Sequence, residues 1–235
     1  MSTLNVQSSC GDANEQGSLS VEHALQNMLN AVSAIGGSEQ IHLRDAIDRV
    51  LAEAITSPVN VPSHRNSAVD GYAMMQADLP VSDTIISLNI IGRVVAGHPY
   101  KGKLKAGDCI QIMTGAQMPN LADTVIMQEH VEVDGNAIRI DARHSAGQNV
   151  RQAGEDIELG QTVLQAGIKL TPPQIGLCAS LGLSEIRVRT PLTAAVFSTG
   201  DEILSIGEAP REGCIYDSNR YSMIAALKKL GCNVL

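Results

Sequence analysis

The sequence predicts a multidomain α/β plus β protein: a helical and mixed part, a β-rich barrel-like module, and the start of a parallel α/β unit. Apolar positions recur at helical spacing near the N-terminus and give way after Pro62 to short β-branched segments separated by turns. Near the C-terminus the order becomes strand, helix, strand. With 235 residues, 44% of them apolar, the chain can bury a sizeable core.

From Ser20, the positions Val21, Ala24, Leu25, Met28, Leu29, Val32 and Ile35 form a helical stripe, with Ser20 as N-cap and Gly36-Gly37 as stop. A second stripe, Leu43, Ala46, Ile47, Val50, Leu51, Ala54 and Ile55, predicts a second helix ending before Ser57-Pro58. Two such stripes need a partner surface. From about Val59 to Arg143 the segments "TIISLNIIGRVVAG", "DCIQIMTG", "DTVIMQEHVEV" and "AIRIDA" read as strands of a small barrel-like sheet, the last two joined at Asp134-Gly135-Asn136. The stretch from Gly147 to Arg189 is mixed, with strands around Val163 and Val188 and a helix entered at Pro172-Pro173 that carries Ile175, Leu177, Cys178 and Leu181. It is expected to return to the two N-terminal helices and cover their stripes. From Thr190 the chain reads as strand ("LTAAVFS"), loop, helix ("NRYSMIAALKKL") and the start of another strand ("CNVL"). A parallel strand buried on both faces needs neighbours that one such unit lacks, so a truncated domain is expected.

Composition narrows the function. The longest apolar runs are far shorter than the roughly twenty residues of a membrane span. Residues 1–18 have neither the basic start nor the apolar middle of a signal peptide and read as a disordered tail, which makes the cytoplasm the expected location. The five cysteines are scattered without a C-x-x-C pair and read as reduced thiols. A formal charge of −8 with 2% aromatic residues argues against nucleic-acid binding. "GHPYKGKL", residues 97–104, resembles a phosphate-binding loop, but Leu104 stands where Ser or Thr must reach magnesium, and a strand follows where a helix is required. It reads as a turn between strands. No metal-ligand spacing occurs among the six histidines.

What remains is a set of carboxylate-bearing loops: "NSAVDGYAM", "IMTGAQMP" with "VIMQEHV", "GQNVRQAGEDI", "FSTGDEI" and "YDSNR". Each has a plain explanation. Asp70-Gly71, Thr114-Gly115 and Thr199-Gly200 suit turns, Gly154-Glu155-Asp156 suits a surface turn, and Asp217 suits the cap of the following helix. Their recurrence at strand ends, where folds of this class place sites, favours a functional reading of the set.

In order and spacing these segments resemble the molybdopterin molybdenumtransferase (MoeA) family, which includes the enzymatic domain of gephyrin. "ALQNMLNAV", "LRDAIDRVLAEAITSPVNVP", "ADTVIMQE" and "LTPPQIGLCASLGLSEIRV" join the loops above, so the resemblance runs from about residue 19 to the end. His64-Arg65 stand where the family usually has an aromatic residue, and Val69 where it has Met, Arg or Lys, whereas Ser67, Asp70, Gly71 and Tyr72 match. The resemblance implies an elongated helical and mixed domain of residues 19–58 and 145–189, a β-barrel-like domain inserted at 59–144, and the start of a doubly wound α/β molybdopterin-binding domain at 190–235. The family's glycine-rich pterin loop and its last β domain have no counterpart within these residues.

The implied activity exchanges the AMP of adenylylated molybdopterin for molybdate with a divalent cation, magnesium being the expectation. Breaking a phosphoanhydride-like bond needs charge neutralisation and an oriented nucleophile, for which carboxylates are apt. The resemblance assigns Asp70, Thr114, Asp156 and Glu202 to catalysis, with Asp70, Asp156 and Glu202 as metal ligands. Ser67, Gly115, Thr199, Gly200, Asp201, Asp217 and Asn219 are the implied substrate contacts, Thr114 and the amides near Gly115 serving as oxyanion donors. A homodimer is implied, with the site where the α/β domain of one subunit meets the barrel domain of its partner. A molybdopterin adenylyltransferase and molybdoenzymes are further implied partners; nucleic acid and membrane are not. The rival reading is a non-catalytic dimerising scaffold of the same fold.

Overall fold

The computed structural model of the chain describes residues 19–82 and 84–235. The tail expected over residues 1–18, and Cys10 with it, lie outside the described residues. Two compact units are distinguished, one of residues 19–38 with Arg189–Leu235 and a larger one, Glu39–Val188. No described helix is long and apolar enough to cross a membrane.

Helix α1, Val21–Ala31, starts where its cap predicts: the Ser20 hydroxyl accepts the His23 N–H at 3.2 Å. It ends before Gly36-Gly37, because the β-branched Val32 turns extended (φ −93°, ψ 132°). None of its residues is buried, and Leu25 and Met28 are 54% and 65% exposed.

The larger unit opens with strands β1 (Ser38–His42), β2 (Ile55–Thr56) and β3 (Asn66–Ser67). The helix expected over 43–55 is absent. Only a 3-10 turn forms at Leu43–Asp45, after which Asp48 takes φ +64° and breaks any helical path. The backbone instead bonds at long range: the Leu51 N–H donates to the Ile168 carbonyl, the Ala52 N–H to Arg187, and the Leu170 N–H to Arg49. Four stripe residues, Leu43, Ala46, Leu51 and Ile55, are buried, while Ile47 and Val50 are exposed.

The central strands are β4 (Gly71–Met74), β5 (Ile86–Val94), β6 (Asp108–Ile112), β7 (Thr124–Met127), β8 (Glu132–Asp134) and β9 (Ala137–Ile140). They lie in the order β7-β4-β6-β5-β9-β8. The barrel-like module expected over 59–144 takes the form of this curled mixed sheet, in which β5 runs parallel to β6 and the other neighbours are antiparallel. Residues 95–107, including the phosphate-loop lookalike, make the connection from β5 to β6 without a helix. The β8–β9 hairpin turns at Gly135-Asn136 as its sequence predicts.

Both faces of the sheet are covered around β4. Ala73, Ile110, Ile112 and Val125 pack on one face with Val94, Leu104 and Ala116. Tyr72, Met74, Cys109 and Ile126 pack on the other with Leu88, Ile138 and Ile140. This alternation is the two-residue period of the strands. Burial pushes the Cys109 thiol up to about 12, with the Asp108 charge adding to the shift. The four described cysteines are all free.

The return path runs through β10 (Val150–Arg151), β11 (Thr162–Leu164), α2 (Pro172–Ser180) and β12 (Glu185–Arg189). At the start of α2, Thr171 and Gln174 form a capping box with proline in the first turn. β10 pairs with β3, β11 with β2 and β12 with β1. A third core gathers here from both sides of the sheet in sequence, with Leu43, Leu51 and Ile55 against Leu170, Cys178, Leu181 and Val188.

In the smaller unit, β13 (Thr193–Ala194) is followed by β14 (Ile203–Leu204), β15 (Ile215–Tyr216), α3 (Ser218–Lys229) and β16 (Asn233–Val234). β13 and β16 are parallel, joined through α3 in the order expected. Of residues 189–235 only Leu204 and Asp217 are buried, and Phe197 is 81% exposed.

Gly71 pairs with Ile112 on one side of β4 and Met127 on the other, and a Cβ there would stand 2.0 Å from the Ile126 carbonyl oxygen. Gly71→Ala is therefore expected to destabilise the chain by roughly 3 kcal/mol or more, since rigid backbone must move to admit the methyl. Urea unfolding followed by circular dichroism measures it, and a midpoint equal to wild type would contradict the close approach.

Candidate functional site

The loop from Asn66 to Asp70 is held from both sides. On one side the Ser67 N–H donates to the Ala116 carbonyl at 3.0 Å and the Gly115 N–H donates to the Ser67 carbonyl at 2.8 Å. On the other, β3 pairs with β10, Ser67 opposite Val150 and Asn66 opposite Arg151, and the Ala68 N–H donates to the Asn149 carbonyl at 2.9 Å. Ser67 is buried, and its hydroxyl donates to the Val69 carbonyl at 2.6 Å, so this side chain fixes the turn.

Asp70 is the polar end of that loop. Its Oδ1 accepts the Thr114 backbone N–H and the Thr114 hydroxyl, both at 2.7 Å. The Thr114 amide first and its hydroxyl second hold the carboxyl below the ordinary 3.8, helped by the charge of Arg93 against a small opposing effect of burial. The carboxylate is ionised, half-buried and oriented. Both Thr114 donors, expected to serve an oxyanion, are engaged by Asp70 in this structure. Gly115 follows with φ +76° and open space around its α-carbon, so the left-handed backbone rather than crowding calls for glycine.

Arg93 escaped the sequence reading. It lies on β5 just past a register shift, opposite Gln111 of β6, which is itself opposite Tyr72 of β4. The bulge re-aims the exposed guanidinium, and no motif within "GRVVAG" signals it.

The "NVRQAGEDI" segment meets the same loop through Arg151. Its Nη2 donates to Asp156 Oδ1 at 2.6 Å and its Nε to Glu155 Oε1 at 3.3 Å. The turn is tied back through the Gly154 N–H to the Pro62 carbonyl and the Asp156 N–H to the Val61 carbonyl. Asp156 is thus a partner of Arg151. Three of the five motif segments come together in the larger unit.

The other two come together in the smaller one. β14 and β15 pair in parallel, the Ile215 N–H donates to the Glu202 carbonyl at 2.8 Å, and Gly200 sits against the Glu202 carboxylate. Asp217 caps α3 by accepting the Arg220 N–H at 3.0 Å, with Arg220 Nε 3.2 Å from its other oxygen. The Ser198 hydroxyl, and then the Arg220 N–H, hold this carboxyl below its usual range. Thr199, Gly200, Asp201, Glu202 and Asn219 are exposed. Among the described residues no three of His, Cys, Asp and Glu gather to hold a metal ion.

Residues 19–182 match the MoeA N-terminal region (domain I and II). The molybdopterin molybdenumtransferase of Haemophilus influenzae is 38% identical over 218 residues, 92% of this chain and 53% of that protein. The protein of the same name from Synechococcus elongatus is 33% identical over 221 residues, 92% of this chain and 55% of that one. Among solved structures, the molybdopterin biosynthesis MoeA protein from Pyrococcus horikoshii superposes with a TM-score of 0.83 at 31% identity, covering 91% of this chain and 57% of that one. The chain spans about half the length of the curated relatives it matches.

If Thr114 holds Asp70 as described, Thr114→Val removes the hydroxyl donor and keeps the amide. The Asp70 carboxyl, followed by its carbon-13 resonance, is expected to titrate higher than in wild type while remaining below 3.8. A depressed carboxyl adds stability above its unfolded value, lost as pH falls through the folded one, so the variant should lose less on acidification. An unchanged Asp70 titration would remove the hydroxyl from the account.

Proposed function

The chain belongs to the MoeA family of molybdopterin molybdenumtransferases, and on that premise we propose that it serves molybdenum cofactor biosynthesis by exchanging the AMP of adenylylated molybdopterin for molybdate. The observation that carries the reading is the Asp70–Thr114 pair, an ionised carboxylate fixed by two short hydrogen bonds at the meeting point of three loops. A carboxylate so held can orient the water or molybdate that takes the place of AMP. Arg93 supplies positive charge on the same side, suited to the anionic phosphates.

The names of the relatives support the activity, and the paired β1–β12 and β2–β11 strands support a fold in which the six-stranded sheet is inserted between two segments of one domain. The magnesium expected at Asp70, Asp156 and Glu202 stays part of this proposal: Asp70 and Asp156 lie in the larger unit, where Asp156 pairs with Arg151, and Glu202 lies in the smaller one. Homodimerisation, a cytoplasmic location and exchange with an adenylyltransferase and molybdoenzymes belong to the same proposal.

The test is complementation of a cell lacking molybdate insertion, using the complete gene product that contains these residues. The wild-type protein is expected to restore molybdoenzyme activity, and Asp70→Asn to lower it by about a hundredfold with little change in stability. Residues 1–235 alone are expected not to restore it, since the relatives are about twice as long. Full activity with Asn at 70 would leave "NSAVDGYAM" as a turn, and failure of the wild-type protein would favour the scaffold reading.

A further inference from the structure

His144 is half-buried and has no role in the reading above. Its side chain is 5% exposed, its ring stacks on His130 with centroids 6.0 Å apart, and its Nε2 is buried without a hydrogen-bond partner. Its Nδ1 lies 3.2 Å from the Gln148 amide nitrogen.

The Gln148 amide can face only one way. Its oxygen accepts the Ser145 N–H at 3.0 Å, and its nitrogen lies 3.4 Å from the Val125 carbonyl as well as beside His144. The NH2 therefore meets Nδ1, which must be an acceptor, so the imidazole is neutral with its proton on Nε2. A proton on Nδ1 would set donor against donor. Flipping the amide would relieve that clash but strand the Ser145 N–H.

The same residues run directly to the Asp70 loop. The Gln148 carbonyl accepts the Val125 N–H at 3.1 Å, and Asn149, in the left-handed region at φ +58°, donates from its side chain to the Val125 carbonyl at 2.9 Å. The Asn149 carbonyl then receives the Ala68 N–H, two residues before Asp70. We propose that His144 is a positioning residue for Asp70, acting through Gln148 and Asn149, and that protonation of its Nδ1 loosens this strap and the Asp70 loop with it. The consequence for catalysis rests on the proposed function of Asp70; the strap itself does not.

Burial pushes the His144 imidazole below the ordinary 6.5, opposed by Asp141 and helped by His130 and Arg143. Asp141 Oδ1 stands 3.9 Å from Nε2, while its other oxygen pairs with Arg143. Glu129, Glu132 and Arg139 line the adjoining cavity of about 350 Å³. Because the folded value lies below the unfolded one, the strap's contribution is present above pH 6.5 and is lost as pH falls through the His144 value.

The test is amide exchange at Ala68 and Val125 in the 235-residue chain between about pH 8 and pH 5, beside the imidazole titration of His144. Corrected for intrinsic rates, protection of both amides is expected to fall about tenfold, with the midpoint of His144, while Ile110 in the core holds. In His144→Asn the side-chain oxygen offers Gln148 a permanent acceptor, so protection should stay level with pH. Constant protection while His144 titrates, a His144 that stays neutral throughout, or an Asn variant that still responds would overturn the proposal. Molybdate transfer by the complete gene product should follow the same midpoint in kcat rather than KM. Exchange as expected with transfer flat in pH would overturn the role of Asp70 in the reaction and leave the strap standing.

Discussion

The structure of the larger unit depends on one close approach, β4 wedged between β6 and β7. Gly71 lies so near the Ile126 carbonyl that no side chain fits. The three residues that follow are buried, alternating between the two apolar cores of the sheet. An element covered on both faces and bonded on both edges has little freedom. The Asp70 loop is the direct continuation of this strand, so a rigid base is inherited by the side chain that faces outward.

Local chemistry decided which elements could be read in the sequence. The cap at Ser20, the helix entry at Pro172-Pro173, the Gly135-Asn136 hairpin and the Asp217 cap each involve residues within a few positions of one another, and each forms where its residues predict. The stripe from Leu43 to Ile55 misled because helical spacing also suits a chain that buries selected residues through long-range pairs. There the bonds of Asp48, Leu51 and Ala52 to Leu170, Ile168 and Arg187 outcompete a helix, and no residue within 43–55 announces partners more than a hundred positions away.

The candidate site divides in the same way. Asp70, Thr114 and the "NVRQAGED" turn were legible because turns carry distinctive residues, and the fold gathers those segments in one unit. Arg93 was not legible, since its direction follows from a register shift between β5 and β6. His144 was equally hidden: its meaning lies in which way the Gln148 amide faces, and that depends on Ser145 and Val125. The segments around Glu202 and Asp217 form a cluster of their own, in the unit that buries only two of residues 189–235.

The pairing order has a consequence for how the protein comes into being. β4 is made early in synthesis, yet its neighbour β7 is completed only at Met127, and β3 waits for Val150–Arg151. Until then the segment around Asp70 has only the β6 edge and the Thr114–Ala116 turn to join, while the β8–β9 hairpin can close as soon as its own residues exist. Contacts so distant in sequence come late in folding because the long loop must close before they stabilise anything. The loop at the centre of the site is thus set in two stages, its Thr114 side before its Val150–Arg151 side, and a newly made chain passes through states in which one flank of that loop is still open.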